Sequence, residues 1–190
     1  VSFSTDYSHY VHVCLGPNVP EVVLRESAMN SIQFILEDNY DIREKLLGKY
    51  VPERMDVLLN VESDDRFKMP AVLYLPKGYK TSGKKYPMLI KVYGGPNAAT
   101  VTPKFKYNWG AFLVTNYDIV YASIDGRGQP GQSNEFLFAV NRNLGSVEIE
   151  DQISGARQLQ ERFKFIDAER TGIWGWSYGG YATTMALEQD

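Results

Sequence analysis

Gly175-Trp176-Ser177-Tyr178-Gly179-Gly180-Tyr181 contains G-x-S-x-G, the pattern of a sharp strand-to-helix turn that holds a serine strained with its hydroxyl projecting into a cleft. Glycine is required two residues to either side because a Cβ there would collide with neighbouring backbone. The flanks agree with this reading. Residues 170–176 form a short apolar stretch of strand character, and residues 178–189 (Ala182, Met185, Ala186, Leu187) have the spacing of a helix. Such a helix points its first N–H groups at the serine, where negative charge develops in acyl transfer.

Working back from the turn, apolar segments alternate with helical ones. Residues 55–61 and 69–75 read as strands joined by the polar turn Glu62-Ser-Asp-Asp65, and residues 86–93 as a strand broken only by Pro87 and Lys91. A helix is expected over 107–115, a strand over 118–124, and a long helix from a Ser146 cap to about Phe163, with Glu148, Glu150 and Asp151 in its first turns. The serine thus follows the fifth strand of an open α/β sheet, the order of the α/β-hydrolase fold. Trp176 is expected to pack rather than to take part in chemistry.

Residues 1–26 alternate differently. Tyr10, His12 and Cys14 fall on one face, Val11 and Val13 on the other, and 22–24 form another short strand. Two or three short strands are not stable alone, so they are expected to belong to a larger β unit. Asp38 or Asn39 then caps a short helix containing Ile42, Leu46 and Leu47. Domains are accordingly expected at 1–48 and 49–190. The chain opens inside a strand and ends inside a helix, so it reads as a piece of a longer protein.

Composition excludes several classes. A net charge of −3 without a basic block argues against a nucleic-acid partner. No apolar run approaches the roughly 18 residues of a membrane helix, and the first residues are no signal peptide. The single cysteine, Cys14, is either a buried thiol or half of a bridge to a partner outside the chain.

Several stretches together resemble one family. The 175–181 run is similar to the active-site signature of the prolyl oligopeptidase group of serine peptidases, and the tryptophan before the serine points to its dipeptidyl peptidase IV branch. Lys91-Val-Tyr-Gly-Gly-Pro96, Asp125-Gly-Arg-Gly128, Asn141-Arg-Asn-Leu-Gly145, Val147-Glu-Ile-Glu-Asp-Gln152 and Leu36-Glu-Asp-Asn39 extend the likeness over essentially the whole sequence. It departs at Lys91, where some relatives carry Asp, and at Gly94, which replaces a small residue. The resemblance implies the end of a β-propeller followed by the first half of a hydrolase domain.

It also implies roles. Ser177 is the nucleophile, while the backbone N–H of Tyr178 and the phenol of Tyr93 form the oxyanion hole, both where this fold builds one. Tyr178 and Tyr93 also bind substrate, the Tyr178 ring lining an apolar pocket for proline. The expected activity is release of dipeptides, with proline or alanine second, from peptide substrates with a free N-terminus. No metal and no organic cofactor is expected, and a homodimer follows by family analogy alone. Cys14, just before Gly16-Pro17, resembles a family half-cystine whose partner lies upstream, which favours an extracellular setting, secreted or membrane-anchored.

The triad follows the order Ser, then Asp or Glu, then His. His9 and His12 precede the serine and are expected to be structural, and Asp125 and Asp151 precede it too. The acid and base are therefore expected after residue 190, and the family's amine-binding glutamates before residue 1. With its fifth strand at an open sheet edge, the isolated chain is expected to be poorly stable. Alternatives stay open: a proline-specific endopeptidase, an inactive binding homologue of the same fold, and a dinucleotide site at Gly126-Arg-Gly-Gln-Pro-Gly131 with Asp151 about 20 residues on. Against the last, the motif follows the fourth strand and contains Pro130.

Overall fold

The computed structural model describes residues 1–190. The chain divides into two compact units, one of Val1–Val51 with Pro103–Tyr107 and one of Pro52–Thr102 with Asn108–Asp190.

The first unit is an antiparallel meander of four strands in chain order: β1 (Ser2–Phe3), β2 (His9–Cys14), β3 (Glu21–Glu26) and β4 (Ile32–Glu37). Four-stranded meanders are the blades of β-propellers. Val23 is the unit's one buried large apolar residue, while Ile32, Phe34, Ile35 and Leu36 of β4 are exposed. β4 lies outside the strands expected from sequence. Its apolar run shows no period-two contrast, and its residues are exposed throughout, so no buried face marks it. Helix α1 (Tyr40–Leu46) follows, started by the Asp38 carboxylate, which accepts the Tyr40 N–H at 2.9 Å, with Asn39 in the left-handed region.

The second unit is an α/β-hydrolase sheet of five strands: β5 (Glu53–Asn60), β6 (Lys68–Leu75), β7 (Tyr86–Val92), β8 (Val120–Ile124) and β9 (Ile166–Gly175), in spatial order β5-β6-β8-β7-β9. β5, β6 and β8 pair antiparallel, then β8, β7 and β9 parallel. The parallel pairs need crossovers, which helix α2 (Trp109–Tyr117) and helices α3 (Asn134–Phe138) and α4 (Val147–Arg162) supply. β8 is buried at every position, as a central strand covered on both faces must be. One face carries Leu59, Leu73, Ile90, Ala122 and Ile124 against Leu159 and Ala156 of α4. On the other, Gly110 of α2 lies against the ring of Tyr121, and Trp109 meets Trp174 edge-on at 4.9 Å. Helix α5 (Tyr178–Gln189) joins α4 through Ile149, Ala182 and Ala186 over Val92.

Two details differ from expectation. The Ser146 hydroxyl does not cap α4. It donates to the Asn143 carbonyl at 2.5 Å, and Glu148 takes the N–H groups of the preceding turn instead. Short α3 was not anticipated; its cap is the Ser133 hydroxyl, which accepts the Phe136 N–H.

The loops after β7 and β8 are tied by buried polar contacts. The Asp125 carboxylate accepts the Thr100 and Val101 N–H groups. The Gln129 amide accepts the Ala98 N–H at 3.0 Å and donates to the Gly95 carbonyl at 2.8 Å. Arg127, 8% exposed, pairs with Asp151, 1% exposed, donating from Nη2 at 2.7 Å and Nε at 3.0 Å, and its backbone N–H adds a third bond at 2.7 Å. Removing Asp151 takes away the acceptor of all these bonds and leaves the buried guanidinium only the exposed Glu150, 3.6 Å away. Asp151→Ala is therefore expected to cost about 3–5 kcal/mol, read as a lower urea midpoint at unchanged slope.

Candidate active site

The end of β9 and the start of α5 form a turn whose geometry is set by close backbone approaches, between Gly175 and Gly179 and from both to Val92. The Val92 carbonyl oxygen, at the end of β7, lies where a side chain would begin on either of two residues. A Cβ built on Gly175 would overlap the Gly179 carbonyl and sit 2.5 Å from the Val92 oxygen, and one on Gly179 would overlap that oxygen outright. Only glycine fits at both positions, so the turn packs directly on the neighbouring strand. Ser177, between them, takes φ 56° and ψ −123°, a conformation that an L-residue keeps only when its surroundings enforce it. The serine is exposed at the N-terminus of α5, beside the Tyr178 N–H, while the Gly179 and Gly180 N–H groups donate to the Trp176 and Ser177 carbonyls at 2.9 Å. Trp176, expected to pack, is 84% exposed.

Tyr93 and Tyr178 come together beside the serine's turn. Tyr93 follows β7, and its ring centroid lies 6.2 Å from that of Tyr178. Gly95 fits against both rings: a Cβ there would lie 2.6 Å from the Tyr93 ring and 3.2 Å from Tyr178. A third ring, Tyr181, stands edge-on to Tyr178 at 5.3 Å. The Tyr178 phenol donates to the Glu148 carboxylate at 2.6 Å. Burial, and then this carboxylate, hold the phenol well above its usual pKa. Glu148 was read from sequence only as a first-turn acid. The signal present was its place in the quoted 147–152 stretch, but no spacing rule connects it to a residue thirty positions away.

The remaining candidates lie elsewhere. His9 and His12 sit in β2, in the first unit, and His9 Nδ1 is 2.8 Å from the Ser8 hydroxyl. Cys14 is an exposed free thiol. Asp125 and Asp151 are committed to the loop contacts above. The Gly126–Gly131 motif is likewise engaged, since the Gly128 N–H donates to the Phe136 carbonyl and the Arg127 N–H to Asp151. Those amides face protein rather than an anion site. No group of His, Cys, Asp or Glu is arranged to hold a metal ion, and no helix is long and apolar enough to cross a membrane.

Comparison with known proteins gives the same picture. Residues 104–190 match the model of the prolyl oligopeptidase family. The chain is 39% identical over 188 residues to venom dipeptidyl peptidase 4 of Vespa velutina, a match covering 99% of this chain and 24% of that protein. It is also 39% identical over 186 residues to human prolyl endopeptidase FAP, with 98% and 24% covered. The crystal structure of Porphyromonas gingivalis dipeptidyl peptidase 4 superposes with a TM-score of 0.87 at 30% identity, over 97% of this chain and 26% of that one. The chain thus spans about a quarter of the length of the curated relatives it matches.

The Val92 contact makes a stringent prediction. Gly179→Ala forces its methyl into a backbone oxygen, which no rotamer change relieves. Loss of about 3 kcal/mol or more is expected, measured by urea unfolding. Gly180→Ala, whose Cβ meets only ordinary van der Waals contact at 3.7 Å, should stay within about 1 kcal/mol.

Proposed function

We propose that the chain, whose residues 104–190 match the prolyl oligopeptidase family and which is similar over nearly its whole length to dipeptidyl peptidase 4 proteins, supplies the nucleophile and oxyanion-stabilising groups of a serine peptidase. The proposed activity is removal of dipeptides, with proline or alanine second, from polypeptides with a free N-terminus. The observation that carries the reading is Ser177 itself: a strained, exposed serine at a helix N-terminus, wedged between two glycines that no other residue could replace.

In this reading the Ser177 Oγ attacks the scissile carbonyl carbon, and its proton passes to a histidine that follows the serine in chain order, as this fold requires. The tetrahedral oxyanion is met by the Tyr178 N–H and the Tyr93 phenol, one fixed by the helix start and one by the loop after β7. Collapse breaks the C–N bond, the amine leaves with the proton, and water then cleaves the ester at Ser177. The Tyr178 ring, held against Tyr93 and Tyr181, gives the flat apolar wall a prolyl ring requires. Charge development is neutralised by preplaced donors, so the proposal needs neither metal nor organic cofactor. We place the activity outside the cell, where the exposed Cys14 thiol would pair with a cysteine elsewhere in the protein. The similarity to human prolyl endopeptidase FAP supports a second reading, cleavage within proline-containing chains.

The test uses the full-length natural protein carrying this sequence, with a Gly-Pro chromogenic substrate and the same compound acetylated at its amino end. Cleavage of the free amine alone is expected, whereas cleavage of both selects the endopeptidase. Ser177→Ala should lower kcat by about 10⁴-fold or more. Tyr93→Phe should lower kcat by about 10²–10³-fold with little change in KM, as loss of one oxyanion donor does. A folded protein that cleaves neither compound would overturn the reading in favour of a non-catalytic binding homologue.

A further inference from the structure

Glu148 is the most deeply buried acid close to the serine's turn that the proposed reaction does not use. It is 1% exposed, in the first turn of α4. A carboxylate so far from water persists only when hydrogen bonds satisfy it, and three donors converge on this one. Oε1 accepts the Gly145 N–H at 2.5 Å and the Tyr178 phenol at 2.6 Å, and Oε2 accepts the Ser146 N–H at 3.1 Å. Two of the three would be met by any N-terminal acid reaching back over its own turn. The third reaches across to the residue after Ser177.

We propose that Glu148 is a positioning residue for the active site, acting through Tyr178; the inference rests on the function proposed above. Tyr178 is held at both ends. Its backbone starts α5 at the Ser177 turn, and its phenol is anchored on a carboxylate that burial keeps immobile. A charge-assisted bond of this kind is about twice as strong as a neutral one. It fixes the angle of the ring and, through the same residue, the direction of the N–H beside the serine. The turn that supplies the carboxylate is itself seated on the neighbouring ring, since a Cβ on Gly145 would overlap the Tyr181 hydroxyl. The bond therefore sets two things at once: the wall that selects the residue before the scissile bond, and one donor of the oxyanion hole.

The experiment compares Glu148→Gln, Tyr178→Phe and the double variant in the full-length natural protein, on Gly-Pro and Gly-Ala chromogenic substrates. Each single change is expected to lower kcat on the prolyl substrate about tenfold, the cost of one hydrogen bond to a charged group, and to narrow the preference for proline over alanine. The double variant should be no more than about twofold worse than the weaker single, because Glu148→Gln takes away the charge that strengthens the bond and Tyr178→Phe takes away the bond itself. Losses that multiply, or lower thermal stability with the proline preference unchanged, would overturn the proposal. If Glu148→Gln does not fold, Tyr178→Phe decides alone: it leaves Glu148 both backbone donors, and unchanged kcat and preference would sink the idea. Labelling of Ser177 by a fluorophosphonate separates the two claims. An unlabelled wild type refutes the serine-peptidase reading, whereas the pin is then judged by the ¹³Cζ resonance of Tyr178. That resonance must move on Glu148→Gln if the bond holds the ring, and an unmoved one refutes it.

Discussion

A single backbone oxygen, that of Val92, organises the second unit. It ends the third hydrolase strand and occupies the space in which Gly175 and Gly179 would carry side chains. Because both are glycine, the fifth strand and the helix after it close on β7 with backbone against backbone. The chain between them has only three residues in which to reverse, and Ser177 absorbs the reversal at φ 56° and ψ −123°. The same contact explains why the residue after β7 lies near the serine's turn. Tyr93 is the next position after Val92, so the strand that constrains the serine also delivers the second tyrosine beside it.

Strain at Ser177 persists only if the surroundings are stiffer than the turn. The stiffness has two sources. Below the turn is the apolar layer of Val92, Ile149, Ala182 and Ala186, which joins β7, α4 and α5 without polar atoms. Above it the loops are held by buried polar groups: Asp125 on residues 100 and 101, Gln129 on 95 and 98, Arg127 on Asp151. Charged groups are costly to bury, so their value here is geometric. Apolar packing fixes how closely the elements approach, while directional bonds fix how the loop after β7 is threaded past Gly95 and the Tyr93 ring.

The elbow, the strand count of the sheet and its longer helices were legible in the sequence because each rests on a local rule: glycine spacing and apolar runs. Features that depend on contacts distant in sequence, or on local detail such as the Ser146 cap and short α3, were not. β4 has an apolar sequence with both faces exposed, so it carries no contrast for periodicity to detect. Asp125 and Gln129 act on backbone 24–34 residues away, and a hydrogen bond between loops leaves no repeat; within the sequence Asp125 invited comparison with a triad acid, and the glycines around Gln129 with a nucleotide loop. Trp176 is a different case. An indole is expected in a core by its size, yet the residue before an elbow serine sits at the outside of the bend, and here it is exposed. Glycines on either side in sequence describe the turn's inner surface and say nothing of its outer one.

In the proposed reaction the two tyrosines divide their labour because the Tyr178 phenol is already engaged. Tyr178 spends its hydroxyl on Glu148, and burial, followed by the carboxylate that accepts it, raises the cost of ionising the phenol. What remains for Tyr178 to offer a substrate is its ring face and its backbone N–H, both of which improve as the residue becomes more rigid. Tyr93 comes from a loop rather than a helix, and in the proposed reaction it must offer the phenol itself, which has to follow the oxygen as the carbonyl becomes tetrahedral. A backbone N–H fixed by a helix start and a side-chain donor on a stem are suited to different parts of that movement. Preorganisation is then greatest where the charge begins and adjustable where it ends, an arrangement that follows from which residue the buried carboxylate can reach.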